Sequence, residues 1–139
     1  MKNLIGKHQK EIEKASEKER VVLVYLFGSE VRGTSHKESD VDIGILFDKK
    51  VDPKDYLGSE GRLIEFFSGI FLKKEINIVN LNISSPLLKQ VAILEGKLLY
   101  LRSETDRILF QIKILREYED YLHLNNIYTQ FLDLKLKSL

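Results

Sequence analysis

Two carboxylates, Asp40 and Asp42, stand two residues apart at the head of the apolar run Ile43-Gly44-Ile45-Leu46-Phe47. Strand side chains alternate between faces, so in a strand both carboxylates point the same way. That makes a clamp for a hard divalent cation such as Mg²⁺, which takes carboxylate oxygens and completes its shell with water and substrate phosphates. Taken alone, an Asp-x-Asp pair marks no more than surface acids at a strand's start. The context adds to it, because a charge beside the core is costly unless it is paired or metal-bound. Ten residues separate Asp40 from Gly28-Ser29, which ends a second apolar run, Val21-Val22-Leu23-Val24-Tyr25-Leu26-Phe27. Glycine lets a ligand approach the backbone closely, amides after such a turn cradle phosphate, and the Ser29 hydroxyl adds a donor. As isolated letters Gly-Ser is a turn. Together, strand, Gly28-Ser29, ten residues and Asp40-x-Asp42 place a phosphate site beside a metal site.

The elements that must hold these residues follow from the pattern. Residues 3–19 are rich in Lys and Glu with sparse apolar positions (Leu4, Ile5, Ile12, Ala15), which predicts a mostly solvated first helix with a thin core contribution. The continuous run at 21–27 reads as a strand buried on both faces, and 30–39, with Gly33, Thr34, Ser35 and Ser39, as a short helical turn followed by a loop. A second strand is expected over 40–47, a helix over 55–71 and a third strand over 76–81. A helix capped by Ser84 or Ser85, with Pro86 near its first turn, runs to Gly96, and a brief strand follows at 98–100. Residues 103–136 are helical, with one apolar stripe of Ile108, Ile112, Leu115 and Leu122 and another of Ile114, Tyr118, Tyr121 and Tyr128; Asn125-Asn126 offers a point of division. Two stripes exceed what one helix needs to cover one sheet. Either both are intramolecular core, or the second meets a partner.

The segment LFGSEVRGTSHKESDVDIGILF resembles the G-S-x(10)-D-x-D signature of the DNA polymerase β-like nucleotidyltransferase superfamily, and within it the minimal nucleotidyltransferase (MNT) group. Arg32-Gly33, Ser39 and the later Glu95-Gly96-Lys97-Leu98-Leu99-Tyr100 also fit that group, so the resemblance spans roughly residues 20–100. It implies transfer of a nucleotidyl group from a nucleoside triphosphate, ATP above all. Gly28 and Ser29 would lie at the phosphates, and Asp40 and Asp42 would be ligands of two Mg²⁺ ions stabilising an in-line displacement. Proteins of this size in the group resemble antitoxins paired with HEPN-domain ribonuclease toxins, and the implied act is transfer of AMP to a toxin tyrosine. One position departs from the pattern. Where the group carries further acids on a later strand, this chain has Asn77 and Asn80. Asn77 is the expected third metal position, but an amide brings no charge and is a poor general base. Glu75 shares strand parity with Asn77 and is the nearest substitute in sequence. A catalytically weak module that neutralises its partner by contact alone is therefore the alternative. Modification of a small molecule fits less well, because 139 residues leave little space for an acceptor domain.

Other candidates carry less. Arg32 either pairs with the aspartates or touches phosphate. His36 lies in a polar loop, His8 and His123 have no partner at zinc-ligand spacing, and Lys73-Lys74 reads as solvated charge. The formal net charge of +1, from 22 basic and 21 acidic residues, gives no global field toward nucleic acid or anionic membrane, so no direct nucleic-acid binding is expected. The absence of cysteine excludes disulfides and thiolate zinc sites. No apolar run approaches the ~18 residues of a membrane span and no signal-peptide pattern opens the chain, so a cytoplasmic setting is expected. The expected fold is α/β (α+β in some schemes): one nucleotidyltransferase domain over 1–139, with a small mixed sheet of about four strands and packed helices in a core of about 20–100, and a helical C-terminal extension at about 103–136. Homo- and hetero-oligomers both remain open.

Overall fold

The computed structural model describes residues 2–27, 40–72 and 74–138. The predicted phosphate-binding residues Gly28, Ser29 and Arg32 lie outside the described residues, as do Gly33, His36, Ser39 and Lys73. The order of elements is α1 (Lys2–Lys7), α2 (Gln9–Lys18), β1 (Val21–Phe27), β2 (Val41–Phe47), a 3₁₀ turn (Pro53–Asp55), α3 (Tyr56–Ile70), β3 (Ile76–Asn80), α4 (Pro86–Glu95), β4 (Lys97–Leu101) and α5 (Glu104–Lys137). The four strands form one mixed sheet in the order β3-β2-β1-β4, with β1 antiparallel to β2 and β4, and β2 parallel to β3.

All seven residues of β1 are buried, as its unbroken run of β-branched and aromatic residues requires of a central strand covered on both faces. On one face Val24, Leu26, Ile43 and Ile45 pack with Ile12 of α2 and with Leu63 and Phe67 of α3. On the other, Leu23, Tyr25 and Leu81 pack with Ala92 of α4 and with Phe110 and Ile114 of α5. The first helical segment departs from expectation in breaking at His8 into α1 and α2; its core contribution is thin, as expected, with Ile5 and Ile12 as the buried apolar residues. At its end Arg20 takes a left-handed conformation (φ 57°) that turns the chain into β1. The carboxylate of Glu19, only 7% exposed, accepts Arg62 Nε at 2.9 and 3.1 Å, tying α2 to α3. The Arg62 hydrogen bonds hold Glu19 below its usual pKa against the opposing effect of burial.

Ser85, rather than Ser84, caps α4, its hydroxyl accepting from Leu88 N–H at 3.2 Å, with Pro86 as the first helical residue. Gly96 ends that helix where a Cβ would lie 2.1 Å from the Ala92 carbonyl oxygen. The long C-terminal segment also differs from expectation. Asn125-Asn126 does not divide it; α5 is one helix of 34 residues, about 51 Å long at ~1.5 Å per residue. Asn lowers helix propensity by only a few tenths of a kcal/mol, and the segment holds neither Gly nor Pro. Of its two stripes only Ile114 is core, joined by Phe110; Tyr118 is half-buried and the remaining members are exposed. The reading of both stripes as intramolecular core is therefore corrected. Among the described residues, no helix is long and apolar enough to cross a membrane.

Candidate functional site

The site is built by strand register. Asp40 immediately precedes β2 and Asp42 is its second residue; Val41 and Ile43 between and after them turn to the α3 side, leaving both aspartates toward the α4 and α5 side. The Val41 N–H donates to the Glu75 carbonyl at 2.8 Å, locking the start of β2 to the start of β3. With that register, Asp42 lies opposite Phe27 on β1 and opposite Asn77 on β3. Gly44, next on the same face, leaves room for the Phe27 ring: a Cβ there would come within 3.1 Å of Phe27 Cε1 and 3.3 Å of Leu81 Cδ1.

The Asn77 amide stands between the two carboxylates. Its Nδ2 donates to Asp40 Oδ2 at 3.3 Å and to Asp42 Oδ1 at 3.3 Å. Each hydrogen serves one acid, so a neutral group with a partial positive end offsets part of the repulsion between them. Asp40 is exposed, while Asp42 and Asn77 are half-buried, so the three converge at an opening. Their chemistry fits a hard cation. Two carboxylates aim at one point within hydrogen-bond reach of both, and a half-turn of the Asn77 amide would add its neutral oxygen to an all-oxygen set. Among the described residues there is no group of three or more His, Cys, Asp or Glu suited to a metal.

The other candidates separate. Asn80 does not join Asn77: it is buried, three residues further along β3 and of opposite parity. Its Oδ1 accepts from Asn82 N–H at 2.9 Å and its carbonyl from the Ser84 hydroxyl at 2.7 Å, shaping the turn into α4. Glu75 is exposed, and among the described residues its side chain makes no bond to either aspartate; its link to β2 is through the backbone. His8 bonds Glu11 at 3.0 Å within its own helix turn. Sequence reasoning missed the double hydrogen bond of Asn77, for which the only signal would have been the parallel pairing of β2 with β3, a long-range feature.

A different charged cluster lies at the opposite end of β1 and β2. Arg102, just past β4, bonds Asp106 through Nε at 2.8 Å and Nη2 at 2.9 Å, and also pairs with Asp48. Its guanidinium bonds hold both carboxyls below their usual pKa values. A cavity of about 550 Å³ bordered by Glu13, Glu17, Arg20, Asp48, Tyr100 and Arg102 adjoins this cluster. It lies a strand's length from Asp42, and its Asp48 and Arg102 are already committed to each other, so it is not the site of the aspartate chemistry.

A mixed four-stranded sheet presenting paired acids at the start of its second strand defines the nucleotidyltransferase class. The model of the family described as Polymerase beta, Nucleotidyltransferase matches residues 9–105, and this chain belongs to that family. It is similar to the protein adenylyltransferase MntA of Shewanella oneidensis, with 31% identity over 100 residues that cover 72% of this chain and 68% of that one. Among solved structures it resembles a toxin-antitoxin crystal structure with AMP-PNP, with a TM-score of 0.66 and 28% identity, covering 90% of this chain and 95% of that one. The same fold occurs in a complex of tri-AMPylated Shewanella oneidensis HEPN toxin with an MNT antitoxin, with a TM-score of 0.62 and 24% identity, covering 93% of this chain and 96% of that one.

Proposed function

We propose that this chain is an antitoxin-type protein adenylyltransferase, which transfers AMP from ATP to a tyrosine hydroxyl of a HEPN-type ribonuclease toxin in the cytoplasm. The observation that supports it most is the convergence of Asp40 and Asp42 on one point beside Asn77. The name of the 31% identical relative and the AMP-PNP of the similar complex support the donor and the class of acceptor. In this reading Asp40, Asp42 and the oxygen of Asn77 hold Mg²⁺, as two ions, while Gly28, Ser29 and Arg32 meet the triphosphate. Bound there, Mg²⁺ supplies Lewis-acid stabilisation of the attacking and leaving oxygens. The tyrosine oxygen bonds to the α-phosphorus, the bond from that phosphorus to the bridging β-phosphate oxygen breaks, and pyrophosphate leaves. Asn77 cannot take the hydroxyl proton, which passes to solvent water at the exposed, Asp40 side of the site.

A second reading has one observation in its favour: the neutral amide at the third position leaves the site without a dedicated base, which suits a module that neutralises its partner by contact alone. Two measurements decide. Calorimetry should show ATP binding that depends on Mg²⁺ and is lost when Asp40→Ala and Asp42→Ala are combined; unchanged binding in that variant sinks the assignment. Incubating the toxin with ATP and wild-type protein should raise its mass by one or more AMP units. A toxin that is inhibited but gains no mass favours the contact reading.

A further inference from the structure

Every residue from 119 to 138 of the C-terminal segment is exposed, and nine of them are large and apolar, between 38% and 68% exposed. At roughly half of ~150–200 Å² each, they present on the order of 800 Å² of apolar surface distributed around the projecting helix. At roughly 100° per residue, His123, Asn126, Gln130, Asp133 and Lys137 gather on one narrow strip of α5, and the apolar side chains lie in the remaining arc, interrupted by Asp120, Asn125 and Thr129. Through the middle of that apolar arc runs a seam with alternating spacings of four and three: Glu117, Tyr121, Leu124, Tyr128, Phe131, Lys135. This is the a/d repeat of a two-helix pairing. Its two ends carry opposite charge.

We propose that two copies of this chain pair antiparallel through α5, with the twofold axis near residue 126. That alignment sets Glu117 against Lys135 of the second copy, Tyr121 against its Phe131 and Leu124 against its Tyr128, each contact made twice by symmetry. A parallel alignment would set Glu117 on Glu117 and Lys135 on Lys135, so the charges select the antiparallel form. Glu117 accepts Lys89 Nζ through Oε2 at 2.9 Å, which fixes its position at the root of the projecting helix and leaves the other carboxylate oxygen for the incoming lysine. The Tyr118 and Tyr121 rings stack at 6.3 Å, which orders the first aromatic of the seam. The pairing is independent of adenylyl transfer.

The test uses the full chain. Sedimentation equilibrium over a dilution series should show twice the chain mass at high concentration. The variant Leu124→Glu with Phe131→Glu should be monomeric where the wild type is at least half dimeric, with an unchanged circular dichroism spectrum, since both residues are exposed. Should that variant lose its fold, cysteine cross-linking carries the test, because the chain has no cysteine of its own. A mixture of Leu124→Cys and Tyr128→Cys chains should oxidise mainly to the mixed disulfide. Dominant same-site disulfides would overturn the antiparallel arrangement. A monomer at every concentration would overturn the pairing, as would a monomeric chain whose seam variants lose binding to the toxin protein, which would assign this face to that partner.

Discussion

Replacing Asn77 by Asp changes the sign of the group that stands between the two aspartates. The Asn77 amide nitrogen lies 3.3 Å from Asp40 Oδ2 and 3.3 Å from Asp42 Oδ1. A carboxylate there loses two hydrogen bonds and gains two like-charge contacts. At ~3.3 Å each contact is worth about 1 kcal/mol in bulk water and about 5 kcal/mol at an effective dielectric of ~20. Asp40 is exposed and the new side chain can swing toward solvent, so a total cost of about 2–4 kcal/mol is expected. For a domain of this size that lowers Tm by roughly 5–15 °C in EDTA. With Mg²⁺ the third carboxylate becomes an asset, and Tm should recover to the wild-type value or above. Calorimetric unfolding of Asn77→Asp and wild type, each in EDTA and in saturating Mg²⁺, reads both effects. If the transfer reaction waits on a base, toxin labelling should also rise, by the ~10²–10⁴-fold typical of a positioned general base. Glu75→Gln serves as the control and should change neither quantity, because its side chain is exposed and unbonded to the pair. An Asn77→Asp protein as stable as wild type in EDTA, with no greater response to Mg²⁺, would refute the idea that the three side chains share one cation position.

Acid should weaken the fold through three paired carboxylates. Hydrogen bonds from Arg62 lower the pKa of Glu19, and hydrogen bonds from Arg102 lower those of Asp48 and Asp106. A depressed folded pKa means the stabilisation is full above the unfolded values, 4.5 for Glu19 and 3.8 for the two aspartates, and is lost as pH falls through the lower folded values. Tm should hold above about pH 5 and drop below it. Arg102→Ala should flatten that acid limb and cost about 1 kcal/mol at neutral pH, since Arg102 is nearly half exposed; a limb of unchanged slope would show the pairs to be inert. Gly96→Ala should cost about 2–4 kcal/mol in urea unfolding, because its Cβ meets backbone rather than a side chain that can yield. A loss under about 0.5 kcal/mol would mean that the end of α4 relaxes freely.

Much of the fold was legible because its signals are local. The run at 21–27 is too short and too apolar for anything but a strand covered on both sides, and Ser85-Pro86 and Gly96 bracket α4 by capping chemistry that acts within a few residues. Parity alone put Asp40 and Asp42 on one face. Two expectations failed where local signals were weak. Nothing in 3–19 announced the break at His8, and Asn125-Asn126 looked like a boundary although Asn only slightly disfavours helix. The stripes of α5 could not be sorted into core and surface from periodicity, because that depends on where the sheet ends beneath the helix: Ile114 lies over it and residues 119–138 run past it.

The amino-acid sequence by itself determined that Asp40 and Asp42 share one face at the head of a strand, because residue type and a spacing of two settle charge and direction there. It did not determine what stands opposite those acids. Asn77 and Asn80 both stand where acids were expected; strand parity put them on opposite faces, and the parallel register of β2 on β3 then set Asn77 against both aspartates while Asn80 shapes the far turn. Register between strands 35 residues apart is decided by how α3 packs its apolar face across the connection, a sum of many contacts in which no single residue carries the instruction.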